Sequence, residues 1–328
     1  MTPVVEVKNL KKYFTSNKGI LHAVDDVSLR IEKGKTMGIV GESGCGKSTL
    51  GRTIIHLQEA TDGQILLNGE DVTLAKGRRL ARVREHMQII FQDPYSSLDP
   101  RMMVEDLIRE PMVVSKKYKS RDELHRQVKK LMDLVGIESR LASAYPHELD
   151  GGRRQRIGVA RALVLNPVFI VCDEPVSALD VSIQAQILNL LMDLQEERKL
   201  TYMFITHDLS VVKHISDRIM VMYLGKRVEE AASEELFENP MHPYTKALLA
   251  AIPIPALSSQ HAHRTLIQGE VTSPVNPAPG CRFAPRCKFA SEQCRKADIP
   301  LREIAPGHFC ACVRETGFME KTPEDAAE

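Results

Sequence analysis

Eight consecutive residues have the types and spacing of a loop that wraps phosphate groups. Residues 41–48 read Gly-Glu-Ser-Gly-Cys-Gly-Lys-Ser, directly after an apolar run at 36–40 and before a helical pattern that begins near Lys47. Glycines let backbone N–H groups turn toward phosphate oxygens, and the N-terminus of the following helix adds partial positive charge. Lys47 can reach the β- and γ-phosphates of a nucleotide, and the Ser48 hydroxyl suits Mg²⁺. The residues predicted to bind nucleotide here are Gly41, Glu42, Ser43, Gly44, Cys45, Gly46, Lys47, Ser48 and Thr49.

Two adjacent acidic residues end a second apolar run. Residues 168–172 read Val-Phe-Ile-Val-Cys and are followed by Asp173 and Glu174. Asp173 can hold Mg²⁺ through water, and Glu174 can polarise a water that attacks the γ-phosphate. Paired acids at the end of a strand often only begin a loop. The phosphate-type loop upstream favours the catalytic interpretation, in which the pair completes a site for nucleoside triphosphate hydrolysis.

The elements that must position these residues are short apolar strands that alternate with helices, a pattern that predicts an α/β layered domain with a largely parallel sheet. The apolar runs lie at 36–40, 87–91, 168–172 and 202–206, and helical periodicity occurs at 121–135 and 182–198. Residues from about 93 to 155 lack strand runs, so we predict a helical insertion there. Prolines cluster after residue 231. We therefore predict a first domain at 1–232 and a small irregular C-terminal domain at 233–328.

Composition narrows the class of protein. The chain has 328 residues, with 44 Lys and Arg against 43 Asp and Glu, for a formal charge of +1. Near neutrality gives no support for a nucleic-acid-binding surface built on overall basicity. No apolar run reaches the roughly 18 residues of a membrane span, and the first residues lack the layout of a signal peptide. We therefore expect a cytosolic location, where cysteines stay reduced.

The order of the motifs resembles the nucleotide-binding domains of ABC transporters over about residues 4–252. Gln92 follows the apolar run at 87–91, where this family has its Q-loop glutamine. Residues 149–156 read Leu-Asp-Gly-Gly-Arg-Arg-Gln-Arg, at the place of the family's Leu-Ser-Gly-Gly-Gln signature. Asp180 matches the D-loop, and His207 matches the switch histidine. The resemblance implies a P-loop NTPase fold with a RecA-like core, an antiparallel β subdomain and a helical subdomain.

The resemblance also implies how ATP and Mg²⁺ are held. Two such domains sandwich two ATP molecules, each between the phosphate loop of one chain and the signature of the other. Gln92 is implied to contact Mg²⁺ and the reaction centre, and His207 to bridge Glu174, water and the γ-phosphate. An aromatic residue after the first strand stacks on adenine in the family; Phe14 fits this position best, and Tyr13 is the alternative. The implied ATP contacts from the signature and the D-loop are Asp150, Gly151, Gly152, Arg153 and Asp180.

Two segments of the tail narrow the resemblance to dipeptide, oligopeptide and nickel importers. Residues 239–249 read Asn-Pro-Met-His-Pro-Tyr-Thr-Lys-Ala-Leu-Leu, and residues 279–287 read Pro-Gly-Cys-Arg-Phe-Ala-Pro-Arg-Cys. The chain is most similar to the F-type ATP-binding subunits of dipeptide importers. This similarity implies a heterodimer with a second, related ATP-binding subunit beneath two transmembrane permeases, at the cytoplasmic face of the plasma membrane. An extracellular peptide-binding protein delivers the substrate in such importers.

Other functions remain as alternatives to dipeptide or oligopeptide import. A nickel importer is the main one, because the ATPase subunit does not contact the cargo. A soluble ABC ATPase that acts on nucleic acid or ribosomes is disfavoured, since the chain has one phosphate loop and neither a long coiled coil nor a basic arm. A non-hydrolytic regulatory or metal-binding module is disfavoured by Glu174 and His207. We therefore predict an ATPase that powers peptide import.

The signature of this chain departs from the family at two positions. Asp150 stands where the family has Ser, and Arg153 where it has Gln. A carboxylate there would place negative charge against the γ-phosphate of the partner's ATP, which is unfavourable at low effective dielectric. We expect an asymmetric pair, in which the site built on Lys47 and Glu174 hydrolyses ATP and the site that uses Asp150 is weak or non-hydrolytic. The alternative is that Asp150 simply caps the helix that begins at Gly151.

Five of the seven cysteines fall within a short Pro- and Gly-rich part of the tail, a kind of segment that metals often stabilise. Sulfur ligands suit Zn²⁺ or an iron–sulfur cluster, and the spacing here lacks the paired C-x₂-C of structural zinc sites. The family resemblance implies a [4Fe–4S] cluster on Cys281, Cys287, Cys294 and Cys312. Cys310 is the alternative fourth ligand, and zinc or free thiols are the alternatives to the cluster.

Overall fold

The computed structural model describes residues 3–93, 95–118, 120–252 and 273–314. The two ends of the chain, and residues 253–272 of the predicted C-terminal domain, therefore lie outside the described residues.

Strands and helices alternate along the described part of the chain. The strands are β1 (Val5–Ser16), β2 (Gly19–Ile31), β3 (Thr36–Val40), β4 (Asp62–Leu67), β5 (Glu70–Asp71), β6 (Met87–Ile90), β7 (Phe169–Asp173), β8 (Thr201–Ile205), β9 (Arg218–Tyr223), β10 (Lys226–Ala232), β11 (Arg302–Ala305) and β12 (His308–Cys310). The helices are α1 (Lys47–Ile54), α2 (Gly77–His86), α3 (Val104–Ser115), α4 (Arg121–Leu134), α5 (Gly151–Leu163), α6 (Val181–Arg198), α7 (Leu209–Ile215), α8 (Ser233–Glu238), α9 (Pro243–Ala250) and α10 (Gln293–Lys296). Three 3₁₀ turns lie at Ser139–Leu141, Pro146–Glu148 and Ala284–Arg286.

Two sheets organise these elements. A smaller antiparallel sheet has the strand order β2-β1-β4-β5, and the larger one has the order β11-β12-β10-β9-β3-β8-β7-β6. Within the larger sheet, β9, β3, β8, β7 and β6 run parallel to one another, and β10, β12 and β11 continue it in antiparallel pairing. The predicted α/β fold, with its parallel core and its added antiparallel subdomain, is confirmed. So are the four apolar runs, which form β3, β6, β7 and β8.

The central strands are apolar on both faces because both faces are covered. Every residue of β3, β7 and β8 is buried. Side chains alternate across a strand, so Phe169, Val171, Met203 and Ile205 belong to one core with the smaller sheet and α1. Their neighbours on the other face form a second core with α5 and α6. This burial holds the strand ends, and the loops that follow them, in fixed positions.

The helical insertion and the tail attach to opposite edges of this frame. Between residues 93 and 155 the described residues hold α3, α4 and the start of α5, without a strand, as the helical prediction required. In the tail, β12 pairs with β10 through Glu229 opposite Cys310 and Glu230 opposite Phe309. The tail therefore extends the main sheet. Within the described ranges, no helix has both the length and the apolarity that crossing a membrane requires.

Candidate nucleotide-binding site

The loop between β3 and α1 has the shape that a phosphate-binding loop needs. Gly41 and Gly46 adopt φ values of +150° and +102°. A Cβ atom at Gly41 would lie 2.2 Å from the carbonyl oxygen of Met222, and one at Gly46 would lie 2.0 Å from that of Ala23. Only glycine is compatible with this backbone and this close approach. The loop is thereby pressed against the end of the sheet, and α1 begins at Lys47 as predicted.

The Lys47 side chain is folded into this loop. Its ammonium group donates to the carbonyl oxygens of Gly41 at 2.8 Å and Glu42 at 3.0 Å, and it lies 3.9 Å from Cys45 Sγ. Lys47 is only 5% exposed, so its charge is held at one point within the loop. Burial raises the pKa of the Cys45 thiol, which keeps that side chain neutral beside the ammonium group.

The side chains of Ser48 and Asp173 bring two potential oxygen ligands for a metal ion together beside the loop. The Ser48 hydroxyl donates to Asp173 Oδ1 at 2.6 Å, and Arg52 donates to Asp173 Oδ2 at 3.1 Å. Asp173 is fully buried at the end of β7, and Arg52 compensates its charge. Oxygen donors are the ligands that Mg²⁺ prefers, and it is usually held by one or two carboxylates together with substrate phosphates. The donor set therefore fits Mg²⁺. Arg52 is not among the residues predicted from the sequence, because nothing local in the sequence relates α1 to β7.

Three side chains meet next to this pair. Gln92 Nε2 donates to Glu174 Oε2 at 2.9 Å, and His207 Nδ1 lies 3.3 Å from the same oxygen. Glu174 has a left-handed backbone, with φ of 49°, a strained conformation that concentrates at functional sites. The Glu174 side chain is 15% exposed, whereas that of His207 is 61% exposed. The carboxylate is therefore held from two sides and still faces solvent.

A cavity of about 550 Å³ joins these groups into one site. Its lining includes Phe14, Ser43, Gly44, Gly46, Lys47, Ser48, Thr49, Gln92, Glu174 and His207. The predicted residues Gly41, Glu42, Cys45 and Asp173 lie behind this surface, in the loop and at the end of β7. The structure thus brings most of the predicted nucleotide and catalytic residues to one opening.

The two aromatic residues predicted to stack on adenine differ in their position relative to the cavity. Phe14 lines the cavity, and Tyr13 does not. The Tyr13 hydroxyl donates to Asp25 Oδ1 at 2.5 Å, and its ring stacks on His22 with 4.0 Å between centroids. Burial and the neighbouring carboxylate raise the pKa of Tyr13, so its hydroxyl stays protonated. His22 also lines the cavity, although it is not among the residues predicted from the sequence.

The signature residues lie away from this cavity in the single chain. Asp150 caps α5, because its Oδ1 accepts a 2.8 Å hydrogen bond from the Arg153 backbone N–H. The Arg153 guanidinium lies 3.1 Å from Asp150 Oδ2 and 3.6 Å from Glu138. None of the residues predicted from the signature and the D-loop, Asp150, Gly151, Gly152, Arg153 and Asp180, is among those that line the cavity. The alternative interpretation, in which Asp150 caps this helix, is confirmed.

The four cysteines expected to bind a metal cluster lie together, but not in the arrangement of a metal site. Cys281, Cys287, Cys294 and Cys312 line one small cavity of about 10 Å³, whereas the fully buried Cys310 lies in β12 and is not part of its lining. Burial raises the pKa of Cys281 to about 12 and also raises that of Cys287. Among the described residues, no group of three or more His, Cys, Asp or Glu side chains is placed to hold a metal ion. The described residues therefore contain no ready-made iron–sulfur or zinc site.

Two family descriptions match successive parts of the chain. Residues 24–177 match the family described as "ABC transporter". Residues 228–294 match "Oligopeptide/dipeptide transporter, C-terminal region". The first covers the phosphate loop and both acids, and the second covers most of β10 and three of the cysteines.

Relatives and solved structures agree with these matches. The chain is 49% identical over 318 residues to the oligopeptide transport ATP-binding protein AppF of Bacillus subtilis (strain 168), covering 94% of this chain and 96% of that protein. It is 50% identical over 311 residues to the oligopeptide transport ATP-binding protein OppF of the same organism, covering 94% and 96%. Among solved structures, a dimeric post-hydrolysis state of the ATP-binding cassette MJ0796 bound to ADP and Pi superposes with a TM-score of 0.64 at 29% identity, covering 70% of this chain and 98% of that chain.

Proposed function

This chain belongs to the ATP-binding subunits of ABC transporters, in the oligopeptide and dipeptide branch, and we propose that the cavity beside its phosphate loop is the site of ATP hydrolysis. The protein is an ATPase whose activity powers a peptide importer. The observation that supports this site is the convergence of Gln92 and His207 on one oxygen of Glu174, at the cavity that Lys47 and Ser48 also line.

Each group has a chemical role in hydrolysis. The backbone N–H groups of the loop and the Lys47 ammonium bind the β- and γ-phosphates. Ser48 and Asp173 would hold Mg²⁺, which neutralises charge on the phosphate oxygens. Glu174 accepts the proton of the attacking water, and Gln92 and His207 orient its carboxylate. His207 can also donate to charge that develops on the γ-phosphate.

A second ATP-binding subunit completes the assembly. The ATP-binding cassette MJ0796, which this chain resembles, is a dimer in its post-hydrolysis structure, and the signature residues of this chain do not line its own cavity. We infer a heterodimer, in which Asp150, Gly151, Gly152, Arg153 and Asp180 serve the ATP that is bound to the partner. In this arrangement the chain lies at the cytoplasmic face of the plasma membrane, beneath two permeases, and an extracellular protein delivers the peptide.

The cargo is assigned from the relatives. AppF and OppF are named for oligopeptide transport, which favours peptides over nickel. The test is reconstitution of the chain with its partner ATPase and permeases in liposomes, with uptake of a labelled dipeptide, a labelled oligopeptide and Ni²⁺ measured in parallel. We expect ATP-dependent peptide uptake that Lys47→Ala reduces strongly. Uptake of Ni²⁺ without uptake of peptide would identify nickel as the cargo. ATP hydrolysis that is unchanged in Lys47→Ala would rule out the proposed site.

The metal cluster stays a proposal that rests on the cysteines alone. What supports it is that the four thiols named as ligands line one cavity. Because the described residues hold no ready-made metal group, binding of a [4Fe–4S] cluster, or of Zn²⁺ as the alternative, requires these side chains to rearrange. No step of ATP hydrolysis depends on it.

A further inference from the structure

The tail reaches back to the phosphate loop through one arginine. We call residues 273–314 the cysteine module. Its Arg286 donates to both carboxylate oxygens of Glu42, with Nη1–Oε2 at 2.7 Å and Nη2–Oε1 at 3.1 Å. The two residues are 244 positions apart, and their side chains are 7% and 25% exposed. A bidentate pair of this kind adds geometric specificity to charge attraction.

Glu42 is held at each of its polar groups. Its backbone N–H donates to the Tyr244 hydroxyl at 2.8 Å, and its carbonyl oxygen accepts from the Lys47 ammonium at 3.0 Å. Tyr244 lies in α9 and is fully buried. Arg286 also donates to the Tyr223 hydroxyl at 3.3 Å, which fixes the guanidinium on the end of β9. The tail and the main sheet thus hold Glu42 in place, and the Glu42 carbonyl oxygen in turn accepts a hydrogen bond from the Lys47 ammonium.

The cysteine module supports the other wall of the cavity in the same way. Arg282 pairs with Asp25, the carboxylate that also accepts from Tyr13 and lies 3.3 Å from His22 Nδ1. The His22 backbone N–H donates to the Pro274 carbonyl oxygen at 3.0 Å, and both His22 and Pro274 line the nucleotide cavity. The module therefore contacts the phosphate side of the cavity through Arg286 and the aromatic side through Arg282.

We propose that the cysteine module braces the nucleotide site, and that Arg286 is a positioning residue that acts on the phosphate loop through Glu42. The proposal rests on the assignment of this loop to ATP. Without Arg286, the Glu42 carboxylate would stand unpaired in a loop that must receive a polyanion, and its repulsion would weaken ATP binding. If Glu42 itself lost its charge, the loop would lose the ion pair with Arg286, but no carboxylate would remain to repel ATP.

This asymmetry makes the proposal testable by a double-mutant cycle on the full-length chain. Binding of a fluorescent ATP analogue in the presence of Mg²⁺ is measured for Arg286→Gln, Arg286→Lys, Glu42→Gln and the double variant. We expect Arg286→Gln to raise the Kd roughly tenfold, with a smaller defect at high salt. The Kd of Arg286→Lys should lie between that of Arg286→Gln and that of the wild type. Glu42→Gln should change the Kd less than Arg286→Gln, and adding it to Arg286→Gln should restore part of the affinity.

Arg295 provides the matched control, since it is an exposed arginine of the same module. Arg295→Gln should bind as the wild type does, and thermal unfolding should verify that each variant is folded. If Arg286→Gln does not fold, Arg286→Lys still tests the brace, because it should raise the Kd above that of the wild type, and an unchanged Kd in this variant would overturn the proposal. An Arg286→Gln variant that binds as the wild type does, or a double variant no better than Arg286→Gln, overturns the brace while leaving ATP binding intact. A wild-type chain that binds no analogue, and does not differ from Lys47→Ala, overturns the function as well.

Discussion

Gln92 and Glu174 are 82 positions apart in the sequence, yet the Gln92 amide donates a 2.9 Å hydrogen bond to Glu174 Oε2. The contact arises because β6 and β7 are adjacent and parallel, with Ile90 opposite Cys172. The residues that follow the two strands are therefore carried to the same edge of the sheet. His207, which follows β8, reaches the same oxygen for the same reason. Strand order is thus what brings the Glu174 carboxylate, the proposed catalytic base, together with its two neighbours.

Removal of the Glu174 carboxylate should separate binding from chemistry. We expect Glu174→Gln to lower ATP turnover by about 100-fold or more, the range for loss of a general base, while the chain still binds nucleotide. Turnover is measured by phosphate release from the assembled dimer, and binding by titration with the fluorescent analogue. Glu197→Gln, an exposed glutamate on α6, is the matched control and should leave both unchanged. Retention of most of the turnover in Glu174→Gln would assign the base elsewhere.

The two ATP sites of the proposed heterodimer should contribute unequally to the ATPase rate. Because Asp150 places a carboxylate where the family has Ser, the site that uses this chain's signature should hydrolyse ATP slowly. Glu174→Gln in this chain should therefore cost most of the ATPase rate, and the equivalent change in the partner should cost little. Both variants are compared in the same reconstituted heterodimer. Equal losses from the two changes contradict the asymmetry.

The stability role of Asp150 can be separated from its electrostatic one. Its Oδ1 caps α5 at Arg153 N, and its side chain is 59% exposed. Asp150→Ser keeps a cap and should leave the free energy of unfolding nearly unchanged, whereas Asp150→Ala should lower it by about 1 kcal/mol. Chemical denaturation of the isolated chain measures this difference. Equal stability of the two variants would mean that the cap contributes nothing, and a faster ATPase in Asp150→Ser alone would support the charge argument.

His56 should make stability depend on pH. Burial, together with nearby Arg84, lowers the pKa of His56 below its usual 6.5, and its Nε2 is buried without a partner among the described residues. Below pH 6.5 the unfolded chain therefore takes up a proton that the folded chain refuses, so the free energy of unfolding falls as pH decreases from 6.5. His56→Asn should flatten this part of the profile, and Asn tolerates the φ of 59° at this position. A variant with the same slope as the wild type below pH 6.5 would exclude His56 as the cause.

Analysis of bound metal and sulfide should distinguish an iron–sulfur cluster on the cysteines from a cavity lined by metal-free thiols. If the four thiols that share a cavity hold a [4Fe–4S] cluster, the chain purified without oxygen should contain iron and acid-labile sulfide. Cys312→Ser should then lower both, and Cys310→Ser should not, because Cys310 lies in β12 outside the cavity. Zinc in a one-to-one ratio without sulfide would indicate the alternative metal. Metal-free protein with every thiol reactive after unfolding would leave the cavity as a purely structural contact.

Local features of the sequence determined a large part of this protein. The phosphate loop, the apolar runs of β3, β7 and β8, and the helix cap at Asp150 depend on residues that are adjacent or a few positions apart. Their spacing therefore carries the information directly, as the structure confirms for the strands, the loop and the cap. The order of the motifs added the family, and with it the expectation that distant residues such as Gln92 and His207 serve one site.

Only the tertiary structure decided which distant side chains touch. It placed Phe14 rather than Tyr13 at the cavity, put Cys312 rather than Cys310 among the four thiols, and joined Arg52 to Asp173. It also carried Arg286 of the tail to Glu42 of the loop, a contact across 244 positions. Contacts of this kind depend on the order of the strands and on how helices, loops and turns pack against the sheet. Both are set by how the whole core packs, and no local spacing in the sequence encodes them.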